Sequence, residues 1–220
     1  MNFQSEYLYH IYNRGNNSQL IFFNHENEVF FLRKVRKELL PYCDILAYCL
    51  MPTHFHFMVY VKNTVLNLNI GQTTPSGQTN YCPIGQTSSN HPLIKGISIL
   101  LSSYTRAINI QEGRTGSLFQ KKTKAKCLNP IKHNWKNIST NKDNYAFNCI
   151  NYIHQNPIKS GLIKLMENWE YSSFKDYIGK RNGTLCNKKL AFELIPFFEK
   201  ENFYKLSYQV ISPEMIDKIL

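Results

Sequence analysis

The chain has 220 residues, 43% hydrophobic and 14% aromatic, with a formal net charge of +11 and a pI near 9.3. That length and apolar content suit one sizeable domain with an appendage, or two small domains, and exclude wholesale disorder. The positive charge favours a polyanionic partner, because neutralising phosphates releases their counterions and speeds encounter.

The apolar run around Ile45–Met51 is far too short for a membrane span, so no membrane partner is expected. The start, Met1-Asn2-Phe3-Gln4-Ser5-Glu6, lacks the charged-then-apolar layout of a secretory signal. Six cysteines (Cys43, Cys49, Cys82, Cys127, Cys149, Cys186) are scattered without a Cys-x-x-Cys pair. This argues against a zinc ribbon and a disulfide framework, and for reduced thiols in a cytoplasmic protein.

Residues 6–13 are rich in aromatics and β-formers and predict a strand, which Asn13-Arg14-Gly15-Asn16-Asn17 breaks as a loop. Val29, Leu32, Val35 and Leu39 recur at helical spacing over 25–40, with Pro41 just beyond. The apolar runs 43–50 and 54–61, separated by Met51-Pro52-Thr53, predict an antiparallel pair. In 63–91, Gly-Gln-Thr occurs three times among Pro, Ser and Asn. With little to bury, this segment is expected to be a mobile loop rather than a stacked repeat.

Leu93, Ile97, Leu100, Leu101, Tyr104 and Ile108 predict an amphipathic helix over 92–111. A basic strand follows at 116–128, then a helix at 142–155 leading into Asn156-Pro157. The order β-α-β-β-α-β plus a helix implies an α+β, ferredoxin-like fold, one antiparallel sheet with helices on one face. Residues 1–180 would form the main domain and 181–220 a mostly helical C-terminal extension.

Three groups of residues carry candidate chemistry. His54 and His56, one residue apart on a strand, point the same way and could grip one metal ion; they could equally be histidines hydrogen-bonded at a sheet surface. A structural zinc site is disfavoured by the lack of a nearby cysteine pair. Tyr152 and Asn156 lie one helical turn apart on one face. A phenol is a poor nucleophile at its free pKa near 10 and needs activation, and Asn156 offers a hard oxygen ligand. The plainer alternative is a surface tyrosine on a helix that Asn156-Pro157 ends.

The third group is Arg114, Lys121, Lys122, Lys124 and Lys126, with Arg14 in the first loop. Lys122, Lys124 and Lys126 would share a strand face, either tracking a phosphate backbone or merely solvated. Phe119 could stack a base, though its apolar context favours burial. A metal site, a tyrosine and a basic protein together suggest phosphodiester chemistry on nucleic acid.

Five ordered blocks make the chain resemble the REP-associated tyrosine transposases, a branch of the HUH single-strand DNA transposase superfamily. They are Tyr9-His10-Ile11-Tyr12-Asn13-Arg14-Gly15, Tyr48 to His56, Gly116 to Gln120 with Lys124-Ala125-Lys126, Tyr152 to Ile163, and Trp169 to Phe174 with Tyr177. The resemblance implies that His54, His56 and Asn156 hold Mg²⁺ or Mn²⁺. It implies that Tyr152 attacks single-stranded DNA, leaving a 5′-phosphotyrosine and a free 3′-hydroxyl, and that a second 3′-hydroxyl reverses the step to rejoin strands. Single-stranded or hairpin DNA is the implied partner, contacted by basic strand residues. A non-catalytic module of the same fold, gripping hairpin DNA or RNA, is the competing expectation. Monomer and homodimer both stay open, as do the hairpin and guide sequences. Thr53 stands where the family often has Asn, Thr123 where an aromatic is common, and the 63–91 segment is longer than the family's connection.

Overall fold

A computed structural model describes residues 1–63, 91–128, 145–195 and 202–220. The polar 63–91 segment, with its Gly-Gln-Thr repeats, and residues 142–144 of the predicted helix fall almost wholly outside those residues.

Strands β1 (Leu8–Arg14), β2 (Cys43–Met51), β3 (His54–Val61) and β4 (Lys124–Cys127) form one antiparallel sheet in the order β2-β3-β1-β4. Helix α1 (His25–Glu38) connects β1 to β2, and α2 (Pro92–Gln111) lies between β3 and β4. This is the split βαβ arrangement expected from the element order. Asn24 caps α1, its side chain accepting from the Asn27 amide, and Pro92 opens α2 where a missing N–H costs nothing.

The strands alternate cleanly. Tyr9 and Ile11 of β1, Phe55, Phe57, Val59 and Val61 of β3, and Tyr48 and Leu50 of β2 face α1 and α2. There Phe31, Val35 and Leu39 meet Leu93, Ile97, Leu100, Tyr104 and Ile108 in a continuous apolar core. Within β2 a bulge between Ile45 and Ala47 shifts the register. It inverts the alternation: Cys43 and Ile45 face α1 and α2 before it, Tyr48 and Leu50 after it.

The opposite face is covered as well, giving three layers. Leu8, Leu46, Cys49, Met51 and Met58 pack against Ala146, Phe147, Cys149, Ile150 and Ile153 of α3 (Tyr145–Lys159). Beyond α3 come α4 (Phe174–Tyr177), α5 (Lys188–Leu194), α6 (Phe203–Ser207) and α7 (Pro213–Ile219). Phe203, Ile211, Met215 and Ile219 join this second core, so the C-terminal residues belong to the body that holds α3 against the sheet.

Three sequence expectations change in detail. Arg14, expected in the loop after the first strand, is the last residue of β1 because it still pairs with His54 of β3. The basic strand is shorter than 116–128, with β4 spanning Lys124–Cys127. The chain before it pairs only locally with the end of β1, Gly15 bridging Phe119 and the Gln120 amide donating to the Arg14 carbonyl at 2.9 Å, before residues 121–123 interrupt the ladder. The tyrosine helix does not end at Asn156-Pro157 but runs to Lys159, with Pro157 inside it. Proline removes one N–H from the ladder, yet the Asn156 side chain donates back to the Tyr152 carbonyl at 2.8 Å and holds that turn. Gly161, at φ +70°, then reverses the chain.

The free edge of β2 is closed by the Trp-Glu-Tyr-Ser-Ser block. Leu50 N–H donates to the Tyr171 carbonyl at 2.8 Å, Ser173 N–H to the Tyr48 carbonyl at 3.0 Å, and the Trp169 indole to the Leu50 carbonyl at 2.9 Å. Arg181 ties the block down through Asp176, the Ser172 carbonyl and the Tyr48 hydroxyl. An edge satisfied in this way cannot recruit a foreign strand.

Candidate active site

The face of the sheet turned toward α3 carries the polar residues of β1 and β3. His54 and His56 stand on β3; Tyr12 lies opposite His56 and Arg14 opposite His54 on β1. His10, two residues before Tyr12, shares their face. The rings gather closely: His10 to His56 centroids are 5.0 Å apart, Tyr12 to His56 5.6 Å, and His54 to His56 5.1 Å.

Helix α3 delivers the phenol from above. Tyr152 sits edge-on to His56 at 5.5 Å and to His10 at 6.0 Å. Asn156, one turn on, donates from its amide to the Tyr152 carbonyl and lies near enough to His54 and the Tyr152 phenol to shift both their pKa values, His54 up and the phenol down. Lys159 completes the i, i+4, i+7 stripe, its ammonium 5.2 Å from the centre of the Tyr152 ring. The Thr53 hydroxyl meets His54 Nδ1 at 3.0 Å, so Thr53 braces one of the paired histidines.

Burial sets the protonation states. It lowers His56 well below the usual imidazole value, with His10 and His54 as neighbours reinforcing the shift. It lowers His54 too, partly offset by Asn156 and helped by the Arg14 charge, and takes His10 down to about 4. Uncharged imidazoles are the form in which histidine binds cations. Burial raises the Tyr152 phenol, while its bond to Asn156 pulls the other way. The nucleophile candidate is therefore protonated at neutral pH and depends on its surroundings for activation.

The donor set fits a divalent ion. His56 Nε2 is buried with no hydrogen-bond partner, an arrangement that costs energy unless a ligand meets it. Among the described residues no group of three or more His, Cys, Asp or Glu side chains converges in ligating geometry. A metal here would take two imidazoles plus the Asn156 amide oxygen, a carboxylate-free set.

The predicted basic cluster divides. Lys124 and Lys126, directly opposite Tyr12 and His10 on the edge strand, flank the histidine face and are exposed. Lys122 precedes the strand; with Lys121 it lines a separate cleft of about 780 Å³ beside Ile97 and Leu101 of α2. Arg114 is half-buried in the turn after α2, its amide bonded to the Asn109 carbonyl. Arg14 is exposed, its guanidinium donating to the Ser18 hydroxyl at 2.8 Å. It reaches this position because Gly15 follows it: a Cβ on Gly15 would meet the Gln19 carbonyl oxygen at 2.3 Å. Phe119 is buried against Phe55 and Tyr104 and has no free face for a base.

Three residues of the site were not singled out from the sequence: His10, Tyr12 and Lys159. The signal for the first two was strand parity: with β1 paired to β3, alternation brings His10 and Tyr12 to the His54 and His56 face. For Lys159 it was the spacing of seven from Tyr152. A further feature had no local signal: α7 ends on the site. The Ile219 carbonyl lies 2.7 Å from His10 Nδ1, and the Tyr12 hydroxyl donates to the Leu220 carbonyl.

The antiparallel β2-β3-β1-β4 sheet thus carries a His-x-His strand beneath a helix that bears the tyrosine. Among solved structures, a REP-associated tyrosine transposase bound to a REP hairpin matches with a TM-score of 0.50, covering 82% of this chain and 83% of that chain at 13% identity. This chain has the fold of that protein. No protein-family model matches the sequence, and no curated protein matches it. Among the described residues no helix is long and apolar enough to cross a membrane.

Proposed function

We propose that this protein is a metal-dependent single-stranded DNA endonuclease and strand transferase with Tyr152 as its nucleophile and hairpin DNA as its substrate. The observation that carries the reading is the meeting of Tyr152 with His54, His56 and Asn156, from elements about a hundred residues apart, on one face of the sheet. The shared fold with a transposase that binds a REP hairpin supports it.

Tyr152 Oη would attack the scissile phosphorus, forming a P–O bond to tyrosine as the bond to the 3′ oxygen breaks. The phenol loses a proton and the departing 3′ oxygen gains one, so the step is balanced and reversible without ATP. Asn156 orients the phenol, and Lys159 over the ring favours the negative charge that develops near it. Arg14, Lys124 and Lys126 surround the histidines with cations that can seat the phosphate backbone. His54, His56 and Asn156 would hold Mg²⁺ or Mn²⁺, which would supply Lewis-acid polarisation of the phosphate.

The test is a cleavage assay on single-stranded hairpins from the flanks of the protein's own coding region, in Mn²⁺, Mg²⁺ or EDTA, read on denaturing gels. A metal-dependent covalent protein–DNA species is expected, absent in Tyr152→Phe although that variant still binds the hairpin. An adduct that survives Tyr152→Phe would move the nucleophile elsewhere. Tight binding with no adduct in either metal, across a broad oligonucleotide screen, would make the protein a hairpin-binding module instead.

A further inference from the structure

We infer that His10 is a positioning residue that sets the ligating form of His56, and that the C-terminal end of the chain sets His10 in turn. The inference rests on the reading of His54 and His56 as metal ligands and goes beyond it to residues that touch neither metal nor DNA.

The argument is an accounting of hydrogens. His10 is fully buried, and its Nδ1 lies 2.7 Å from the Ile219 carbonyl oxygen. A carbonyl oxygen only accepts, so Nδ1 carries the hydrogen. Buried and uncharged, the imidazole has one ring hydrogen, which leaves Nε2 as a bare lone pair. That Nε2 lies 2.9 Å from His56 Nδ1. A hydrogen bond between two ring nitrogens needs one hydrogen, and His10 has none left to give. His56 Nδ1 therefore carries it, and His56 Nε2 is left with its lone pair exposed to the site.

The structure leaves that nitrogen available to a ligand: His56 Nε2 is a buried nitrogen without a hydrogen-bond partner, on a residue only 3% exposed. In the opposite order of hydrogens His10 Nδ1 would set its lone pair against that of Ile219, and His56 Nε2 would present a hydrogen to an incoming cation. The chain Ile219 carbonyl, His10, His56 thus works as an outer shell: a backbone acceptor at one end fixes which nitrogen is ligand-ready at the other. It gives α7 a role in the chemistry that burial of Met215 and Ile219 alone does not.

Two measurements on the full-length protein test this. Long-range ¹H–¹⁵N correlation of the imidazoles, metal-free and at neutral pH, should show both His10 and His56 with the hydrogen on Nδ1. His56 found with its hydrogen on Nε2 would overturn the inference without any mutation. Mn²⁺ binding, read by electron paramagnetic resonance of the free ion, gives the second. His10→Phe should weaken binding by roughly tenfold to a hundredfold, the usual effect of losing an outer-shell partner. His10→Gln, whose amide can donate to Ile219 and accept from His56, should stay within about threefold of wild type. Removal of Ile219 and Leu220 should weaken binding by roughly tenfold; tighter binding on their removal would overturn the link to the C-terminus. Mn²⁺ binding that needs His54 yet is undiminished in a natively folded His10→Phe would overturn the relay alone. No binding by wild type, or binding indifferent to His54→Ala, would instead remove the metal-site reading on which the relay rests.

Discussion

The two faces of the sheet are built from the same strands and do opposite work. Along β3, Phe55, Phe57, Val59 and Val61 turn one way and His54, His56 and Met58 the other. The first face meets α1 and α2 in a core dense with aromatics: Phe31 alone has Phe22, Phe55, Phe57, Tyr104 and Phe119 around it at ring distances of 4.9–6.4 Å. The second face sets buried polar groups beside apolar ones and leaves some of them unsatisfied, among them His56 Nε2 and His154 Nδ1. A sheet with period-two alternation lets one face hold the fold rigid while the other keeps polar groups under strain of desolvation for a ligand.

That division can be broken deliberately. The largest effects should separate cleanly between the faces. Phe31→Ala, at a residue with no exposure, should cost about 3–5 kcal/mol of stability in chemical denaturation. His54→Ala, at a half-exposed edge of the site, should cost less than about 1 kcal/mol. Yet His54→Ala should reduce metal-dependent cleavage by about a thousandfold or more. A His54→Ala protein that cuts normally, or one as unstable as Phe31→Ala, would erase the distinction.

A smaller effect sharpens the picture of the polar face. His154 is fully buried, its Nε2 2.8 Å from the Ser173 hydroxyl, and burial lowers its pKa from 6.5 to about 3. The unfolded chain therefore binds more protons than the folded one between those values, and stability falls as pH drops below 6.5. By pH 5 this residue alone should remove about 2 kcal/mol. Urea unfolding at pH 7 and pH 5 should show that difference shrinking by this amount in His154→Leu. Equal pH sensitivity in the two proteins would mean that His154 is more accessible than its packing against Phe174, Tyr177 and Phe203 indicates.

The smallest change in stability should come at the rim. Lys124→Ala and Lys126→Ala, both exposed on the edge strand, should alter stability by less than about 0.5 kcal/mol each. Their effect belongs to binding: each should reduce the salt dependence of single-strand affinity by about 0.7 in log–log slope if it neutralises a phosphate. Lys121→Ala, on the separate cleft beside α2, serves as the comparison. A larger loss from Lys121 than from Lys124 would shift the DNA path toward α2.

Much of this was legible in the chain. Alternation over 54–61 and the 3.6-residue period over 92–111 located β3 and α2, because burial on one face leaves a periodic trace. The β-α-β-β-α-β order then gave the sheet, and His-x-His with Tyr152 and Asn156 gave the chemistry to look for. Local rules misled where a tertiary contact overruled them. Proline 157 reads as a helix end, but the Asn156 to Tyr152 bond and burial of the whole turn carry α3 past it. The basic run from 116 reads as one strand, but residues 121–123 interrupt the ladder between the Gly15–Phe119 bridge and β4.

What the sequence determined by itself is whatever depends on near neighbours: the face each strand residue takes, the stripe Tyr152, Asn156 and Lys159, and the residue types able to ligate or attack. What only the tertiary structure decided is which of those faces meet. The closure of α3 over β3, the pairing of His10 with His56, and the arrival of the Ile219 and Leu220 carbonyls at the site join residues up to 209 positions apart. No local pattern encodes such contacts, because they are selected by the joint packing of α3, α6 and α7 on one sheet face.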